Sequence, residues 1–180
     1  MNAPITTGRV VVGVDGSAAS IDAVGWASRY VALTGARLEA LTTWDVPGAH
    51  GFDLGYGFET TQVDWEATAC EIQKNALDQA LPGDLKGLVR TVVQGHPAEM
   101  LVAAAEGADL LVVGSRGHGG FAGMLLGSVS SHVVAHASCA VVVVRHIRDH
   151  ARHASETTGR AQDITSVGTA GTASEVELQP

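Results

Sequence analysis

The residues with the most evident chemical potential lie in a glycine-rich stretch, GSRGHGGFAGMLLGSVS, at residues 114–130. The stretch contains no Asp or Glu, follows a strongly apolar segment and runs into a predicted helix. At such a junction backbone N–H groups can converge on an anion, helped by the positive end of the helix dipole. Glycine permits positive-φ conformations that direct successive N–H groups into one concavity. The stretch therefore predicts a phosphate-binding loop.

Two known phosphate-binding motifs do not describe this loop. A Walker A motif requires a lysine, which the stretch lacks. Residues 117–122 match the dinucleotide form G-x-G-x-x-A, but they follow the fourth predicted strand and no acidic residue lies about 20 positions further on. The spacing that remains is G-x2-G-x9-G-S, formed by Gly114, Gly117, Gly127 and Ser128.

Other arrangements of reactive residues are weaker. His132 and His136 have the spacing of two metal ligands on one helix face, but no third ligand is identifiable, so no metal site is predicted. Cys70 and Cys139 form neither a disulfide framework nor a C-x-x-C motif. Because the chain also lacks a G-x-S-x-G elbow and an obvious carboxylate pair, no catalytic residue is predicted.

The elements that must position the loop alternate in type along the chain. Short β-branched runs predict strands, and segments of helical periodicity lie between them. The predicted strands are 9–14, 37–44, 88–93, 109–113 and 140–144, and the predicted helices are 17–34, 61–81, 97–106 and 128–137. This alternation predicts an α/β fold with a parallel sheet and helices on both faces.

With these elements in place, the chain resembles the universal stress protein family over roughly residues 8–146. The resemblance rests on the opening VVVGVDGS, the passage DLLVVGSRGHGG, the return LLGSVSSHVV and the closing VVVVR. It implies a single-domain, open, twisted five-stranded parallel sheet of strand order 3-2-1-4-5, a Rossmann-like fold of the adenine nucleotide alpha hydrolase-like type. In this family the G-x2-G-x9-G-[ST] spacing marks the members that bind ATP.

The resemblance also implies which residues form the nucleotide site. The phosphate and ribose side would be lined by Gly114, Ser115, Arg116, Gly117 and His118. The phosphates would be held, through backbone N–H and hydroxyl groups, by Gly127, Ser128, Val129 and Ser130. The nucleoside would meet Asp15, with Gly13 and Val14 beside it, and Thr43 would lie near the base. In this strand order Asp15 and Gly114 both fall at the topological switch point, where such sheets bind ligands.

The predicted function is that of a nucleotide-dependent stress-response regulator that binds ATP. Mg²⁺ can accompany ATP, because one Arg and no Lys compensate a triphosphate poorly. A weak ATPase or phosphotransferase, and a family member that prefers cyclic AMP, remain alternatives. Regulation by binding is favoured over hydrolysis because no residue that would position the attacking water is identifiable. The sequence identifies no regulatory protein partner.

Composition narrows the class of protein further. The formal net charge of -8 argues against a nucleic-acid-binding surface. No apolar run reaches the roughly 20 residues of a membrane helix, and no signal peptide is evident, so a cytoplasmic location is expected.

The sequence also predicts how the chain is divided. We expect a nucleotide-binding domain at residues 1–148 and a disordered tail, rich in Ala, Gly, Ser and Thr, at 149–180. Residues 47–60 are predicted to form a long loop, either a surface insertion or a lid.

The last predicted strand suggests how the protein assembles. Residues 140–144 are apolar throughout and would form one edge of the sheet, where a bare apolar strand is an aggregation hazard. Pairing with a second copy across a two-fold axis would cover this edge, and family members commonly dimerise through their last strand. A homodimer is therefore expected, the alternative being that the segment after Arg145 covers the edge.

Overall fold

A parallel five-stranded sheet lies between two layers of helices in the computed structural model of the chain, which describes residues 8–46, 63–81, 83, 85–118 and 125–146. In chain order the elements are β1 (Arg9–Gly13), α1 (Ala18–Thr34), β2 (Arg37–Trp44), α2 (Trp65–Ala80), β3 (Val89–Gln94), α3 (Pro97–Ala105), β4 (Leu110–Gly114), α4 (Ser128–His136) and β5 (Ala140–Val144). The order across the sheet is β3-β2-β1-β4-β5, and every pairing is parallel. This arrangement confirms the predicted α/β fold and its strand order.

The core has two parts, one on each face of the sheet. Val10 and Val12 of β1 face α1 and α2, whereas Val11 faces α3 and α4. All three side chains are buried, because a parallel sheet covered by helices has no solvent-facing side. This explains why the strand sequences are continuous β-branched runs rather than alternating apolar and polar residues.

The start of α2 differs from its prediction. The helix begins at Trp65, and the residue before it, Asp64, has an extended backbone and accepts a hydrogen bond of 2.9 Å from the N–H of Ala67. Helical periodicity had extended the predicted helix back to residue 61, which lies outside the described residues. A carboxylate that caps the first turn, rather than hydrophobic spacing, sets this boundary.

Several predictions concern parts of the chain that the structure does not describe. The loop 47–60, the domain boundary at 148 and the tail 149–180 all lie outside the described residues. Within the described ranges, no helix is both long and apolar enough to cross a membrane.

Candidate functional site

An open cavity of about 280 Å³ lies where the carboxyl ends of β1 and β4 meet. The two strands are hydrogen-bonded neighbours, and the chain leaves β1 into α1 on one face of the sheet and β4 towards α4 on the other. This divergence opens the crevice that is the usual ligand site of such sheets. The cavity is lined by Gly13, Val14, Asp15, Ser17, Ser20, Leu41, Thr43, Pro97, Leu101, Val113, Gly114, Arg116, Gly117, His118, Gly127, Ser128, Val129 and Ser130.

One side of the cavity is an apolar wall. Val14, Leu41, Leu101 and Val113 are all buried, and Pro97 at the start of α3 completes the wall. Because these residues come from β2, α3, β4 and the position directly after β1, the wall is part of the folded core. It offers a preformed surface for a flat, largely apolar group such as a nucleobase.

Another part of the cavity lining is the first turn of α4. Gly127 is the N-cap residue, no side chain caps the helix, and no acidic residue lies in its first turn. The first N–H groups of a helix have no acceptor within the helix, and Ser128, Val129 and Ser130 of this turn all line the cavity. Together with the helix dipole, these N–H groups favour an anion at this position.

Hydrogen bonds join the two loops that carry the charged residues of the cavity. Asp15, after β1, accepts a hydrogen bond of 2.9 Å at Oδ1 from the N–H of Ser17. Nε2 of His118, after β4, lies 2.9 Å from the backbone oxygen of Asp15, so this nitrogen is the donor. The backbone oxygen of Arg116 accepts from the Ser17 hydroxyl at 3.4 Å. The loop after β4 is therefore attached to the loop that leads into α1, with one carboxylate and one guanidinium at the cavity.

The three glycines of the G-x2-G-x9-G-S spacing have different surroundings. A Cβ at Gly114 would lie 2.8 Å from the backbone carbon of Ala19, so this glycine allows α1 to approach β4. A Cβ at Gly117 would collide with the Asp15 carboxylate. A Cβ at Gly127 would meet nothing closer than Cα of Arg116 at 3.5 Å, an ordinary contact.

The predicted role of positive-φ conformations is wrong for these three residues. The described glycines with positive φ are Gly16, Gly35, Gly87, Gly95 and Gly107, and Gly127 has an extended backbone with φ of -76°. Close packing against the backbone of Ala19, and not a left-handed backbone, explains Gly114, and a Cβ at Gly117 would displace the Asp15 carboxylate. The protein's own packing does not explain Gly127.

Twelve of the thirteen predicted site residues line this one cavity; Ser115 does not. Its side chain is buried, and its backbone N–H donates to the oxygen of Val144 at 2.7 Å. The hydroxyl of Ser130, one of the groups predicted to hold the phosphates, has acceptors within the protein. This hydroxyl is buried and lies 3.0 Å from the backbone oxygens of both Ser115 and Gly127, so its proton is directed into the protein.

Sequence reasoning did not identify six of the lining residues: Ser17, Ser20, Leu41, Pro97, Leu101 and Val113. The apolar members look like ordinary core positions, because a residue at the rim of a core has the same periodicity as one inside it. Of these six residues, only Ser17 could have been predicted from the sequence, because it lies two residues after Asp15 in the same loop.

The histidine pair and the cysteines lie apart from the cavity lining. The rings of His132 and His136 stack with centroids 4.2 Å apart on the exposed surface of α4. The described residues contain no group of three or more side chains that could hold a metal ion. Cys70 is exposed, and burial raises the pKa of the Cys139 thiol above its ordinary value.

Comparison with known proteins identifies the family. The model of the universal stress protein family matches residues 6–145. The chain belongs to the universal stress protein family, as its sequence motifs predicted.

Curated relatives in mycobacteria have similar sequences. A universal stress protein of Mycobacterium tuberculosis is 38% identical over 145 residues, which cover 76% of this chain and 44% of the relative. One from Mycolicibacterium smegmatis is 39% identical over 140 residues, covering 76% and 45% of the two chains. This chain therefore spans less than half the length of these curated relatives.

Two solved structures of family members match this chain over nearly their whole length. A universal stress protein in complex with cAMP is 33% identical, with a TM-score of 0.58, and the match covers 77% of this chain and 97% of that one. UspA of Lactobacillus plantarum is 25% identical, with a TM-score of 0.65, and the match covers 77% and 98%. These structures agree with the five-stranded fold described above.

Proposed function

We propose that this universal stress protein domain binds ATP in the cavity at the ends of β1 and β4 and acts as a nucleotide-dependent regulator of the stress response. The observation that carries the proposal is the first turn of α4. Three residues of this turn line the cavity, and neither a capping side chain nor an acidic residue competes for their N–H groups. Anionic phosphate oxygens are suitable acceptors for such a helix end.

The rest of the cavity fits the other parts of an adenine nucleotide. Leu41, Leu101 and Val113 give the cavity an apolar surface that suits the base. Asp15 also lines the cavity, and its carboxylate can accept a hydrogen bond from ribose hydroxyls. Because a carboxylate would repel phosphates, we assign Asp15 to the nucleoside.

Gly127 supports the placement of the phosphates. The protein would tolerate a side chain here, since the backbone is extended and an added Cβ would make only ordinary contacts. A glycine at this position leaves room for a group outside the protein to approach the first turn of α4. A bound phosphate is such a group.

The charges of the cavity support a role for Mg²⁺ together with ATP. Arg116 is the one Arg or Lys among the described lining residues, and Asp15 is the one carboxylate. Mg²⁺ held mainly by phosphate oxygens and water would supply the missing positive charge. The Asp15 carboxylate already accepts a hydrogen bond from Ser17. We therefore expect the magnesium ion to be coordinated by phosphate oxygens and water rather than by protein carboxylates.

Cyclic AMP is the second candidate ligand. The solved structure of a family member in complex with cAMP, 33% identical to this chain, supports it. A single phosphodiester charge is also easier to balance with one arginine and one helix end than the charge of a triphosphate.

Titrations of the protein distinguish these ligands. ATP is titrated with and without Mg²⁺, and ADP, AMP, cyclic AMP and adenosine are titrated in parallel. Phosphate release measured alongside tests the weak-ATPase alternative. Absence of binding by every nucleotide would refute the proposed function.

We also propose that the protein forms a homodimer through β5, which is an edge strand of the sheet. The oxygen of Val144 accepts from Ser115, so the backbone polar groups of Val142 and Val144 point towards β4 and those of Val143 point towards the open edge. Valines 141–144 are half-buried because their side chains alternately pack on the two faces of the sheet. Antiparallel pairing with a second copy would satisfy the open edge.

A further inference from the structure

A buried serine in the first turn of α4, Ser130, is hydrogen-bonded to the backbone of a second buried serine, Ser115, which follows β4. The side chains of Ser115 and Ser130 belong to residues that are 4% and 3% exposed. The Ser130 hydroxyl lies 3.0 Å from the backbone oxygen of Ser115 and 3.0 Å from that of Gly127. A serine hydroxyl has a single proton, so a proton given to these carbonyls is not available to a ligand in the cavity.

The backbone oxygen of Ser115 holds the start of α4 at two points. It accepts one hydrogen bond from the Ser130 hydroxyl and another, of 2.8 Å, from the N–H of Gly127. One acceptor therefore fixes both the N-cap residue and the third residue of the helix. These two residues bracket Ser128 and Val129, whose N–H groups are expected to meet the phosphates.

Ser115 is itself fixed to the sheet. Its N–H donates to the oxygen of Val144 at 2.7 Å, directly beyond the paired residues Gly114 and Val144 of β4 and β5. The start of α4 is thus connected through Ser115 to the end of the last strand. A site held in this way needs little rearrangement when an anion arrives.

We propose that Ser130 is a positioning residue for phosphate recognition, a role that rests on the proposed nucleotide-binding function. Its hydroxyl acts through the Ser115 carbonyl to hold the N–H groups of α4 in place, and it does not itself contact the ligand. Ser115 contributes through its backbone alone, which accounts for its absence from the cavity lining.

The variant Ser130→Ala tests this role without leaving a buried acceptor unsatisfied. Ser115 O keeps the N–H of Gly127, and Gly127 O keeps the N–H of Ser131 at 2.9 Å. The variant is therefore expected to fold. We expect its affinity for ATP to fall about tenfold, the effect of one hydrogen bond, and its affinity for adenosine to stay unchanged. Without ligand, its Gly127 amide should exchange with solvent faster than in the parent protein.

The matched control is Ser131→Ala, the neighbouring exposed serine, which should leave both affinities and the Gly127 amide unchanged. Affinities are measured by titration calorimetry, and exchange by NMR on the full chain. Parent-like ATP affinity in Ser130→Ala would overturn the proposal. Weaker ATP binding with unchanged Gly127 exchange would also overturn it, because the hydroxyl would then contact the phosphate directly. If the parent protein binds no nucleotide, the proposed function fails as well, whatever the exchange at Gly127 shows.

Discussion

Replacing Gly127 by valine should strongly weaken ATP binding while the fold persists. The new side chain would lie at the start of α4, with its Cβ 3.5 Å from Cα of Arg116, and would occupy the space through which a phosphate approaches. Losing two hydrogen bonds between backbone N–H groups and a charged phosphate, at about 1.5 kcal/mol each, gives about 3 kcal/mol. This corresponds to roughly a hundredfold loss of ATP affinity in titration calorimetry, with little change for adenosine.

The same substitution should affect folding only slightly. The extended backbone of Gly127 suits valine, and the loss of a favourable N-cap residue costs about 1 kcal/mol, or a shift of a few degrees in the melting temperature. Gly25→Ala in α1 is the matched control, because its added Cβ also makes only ordinary contacts and lies away from the cavity lining. A Gly127→Val protein that binds ATP within threefold of the parent would refute the placement of the phosphates.

Three further predictions test other parts of the argument. Asp15→Ala should weaken ATP and adenosine binding alike in calorimetry, and unchanged adenosine affinity would leave the residue a structural role only. Gly114→Ala should lower the free energy of unfolding by about 1–3 kcal/mol in urea denaturation, because its Cβ would lie 2.8 Å from the backbone of Ala19. A urea unfolding midpoint equal to that of the parent protein would contradict this packing. Val143→Pro should convert a dimer to a folded monomer in light scattering, because it removes an N–H at the open edge of β5. Val142→Pro should instead destabilise the fold, because it removes a hydrogen bond to β4. A parent protein that is monomeric at tens of micromolar would refute the dimer.

The sequence by itself determined the fold class and the family of this protein. Continuous β-branched runs alternating with helical segments require a parallel sheet buried on both faces, and this pattern depends only on neighbouring residues. The glycine spacing and the flanking motifs indicated the family and, through it, the strand order. They also indicated that residues near Asp15 and Gly114, about a hundred positions apart, come together at one crevice.

The tertiary structure decided what each residue does there. Gly114 is needed because the backbone of Ala19 packs against it, and a side chain at Gly117 would displace the Asp15 carboxylate. Local sequence does not report which distant part of the chain lies against a given position. The inward hydroxyl of Ser130 likewise depends on the Ser115 carbonyl, which the other end of the loop brings beneath α4. Spacing can place a serine at a helix start, but whether its proton faces a ligand or the protein depends on which acceptors the folded chain brings within 3.0 Å.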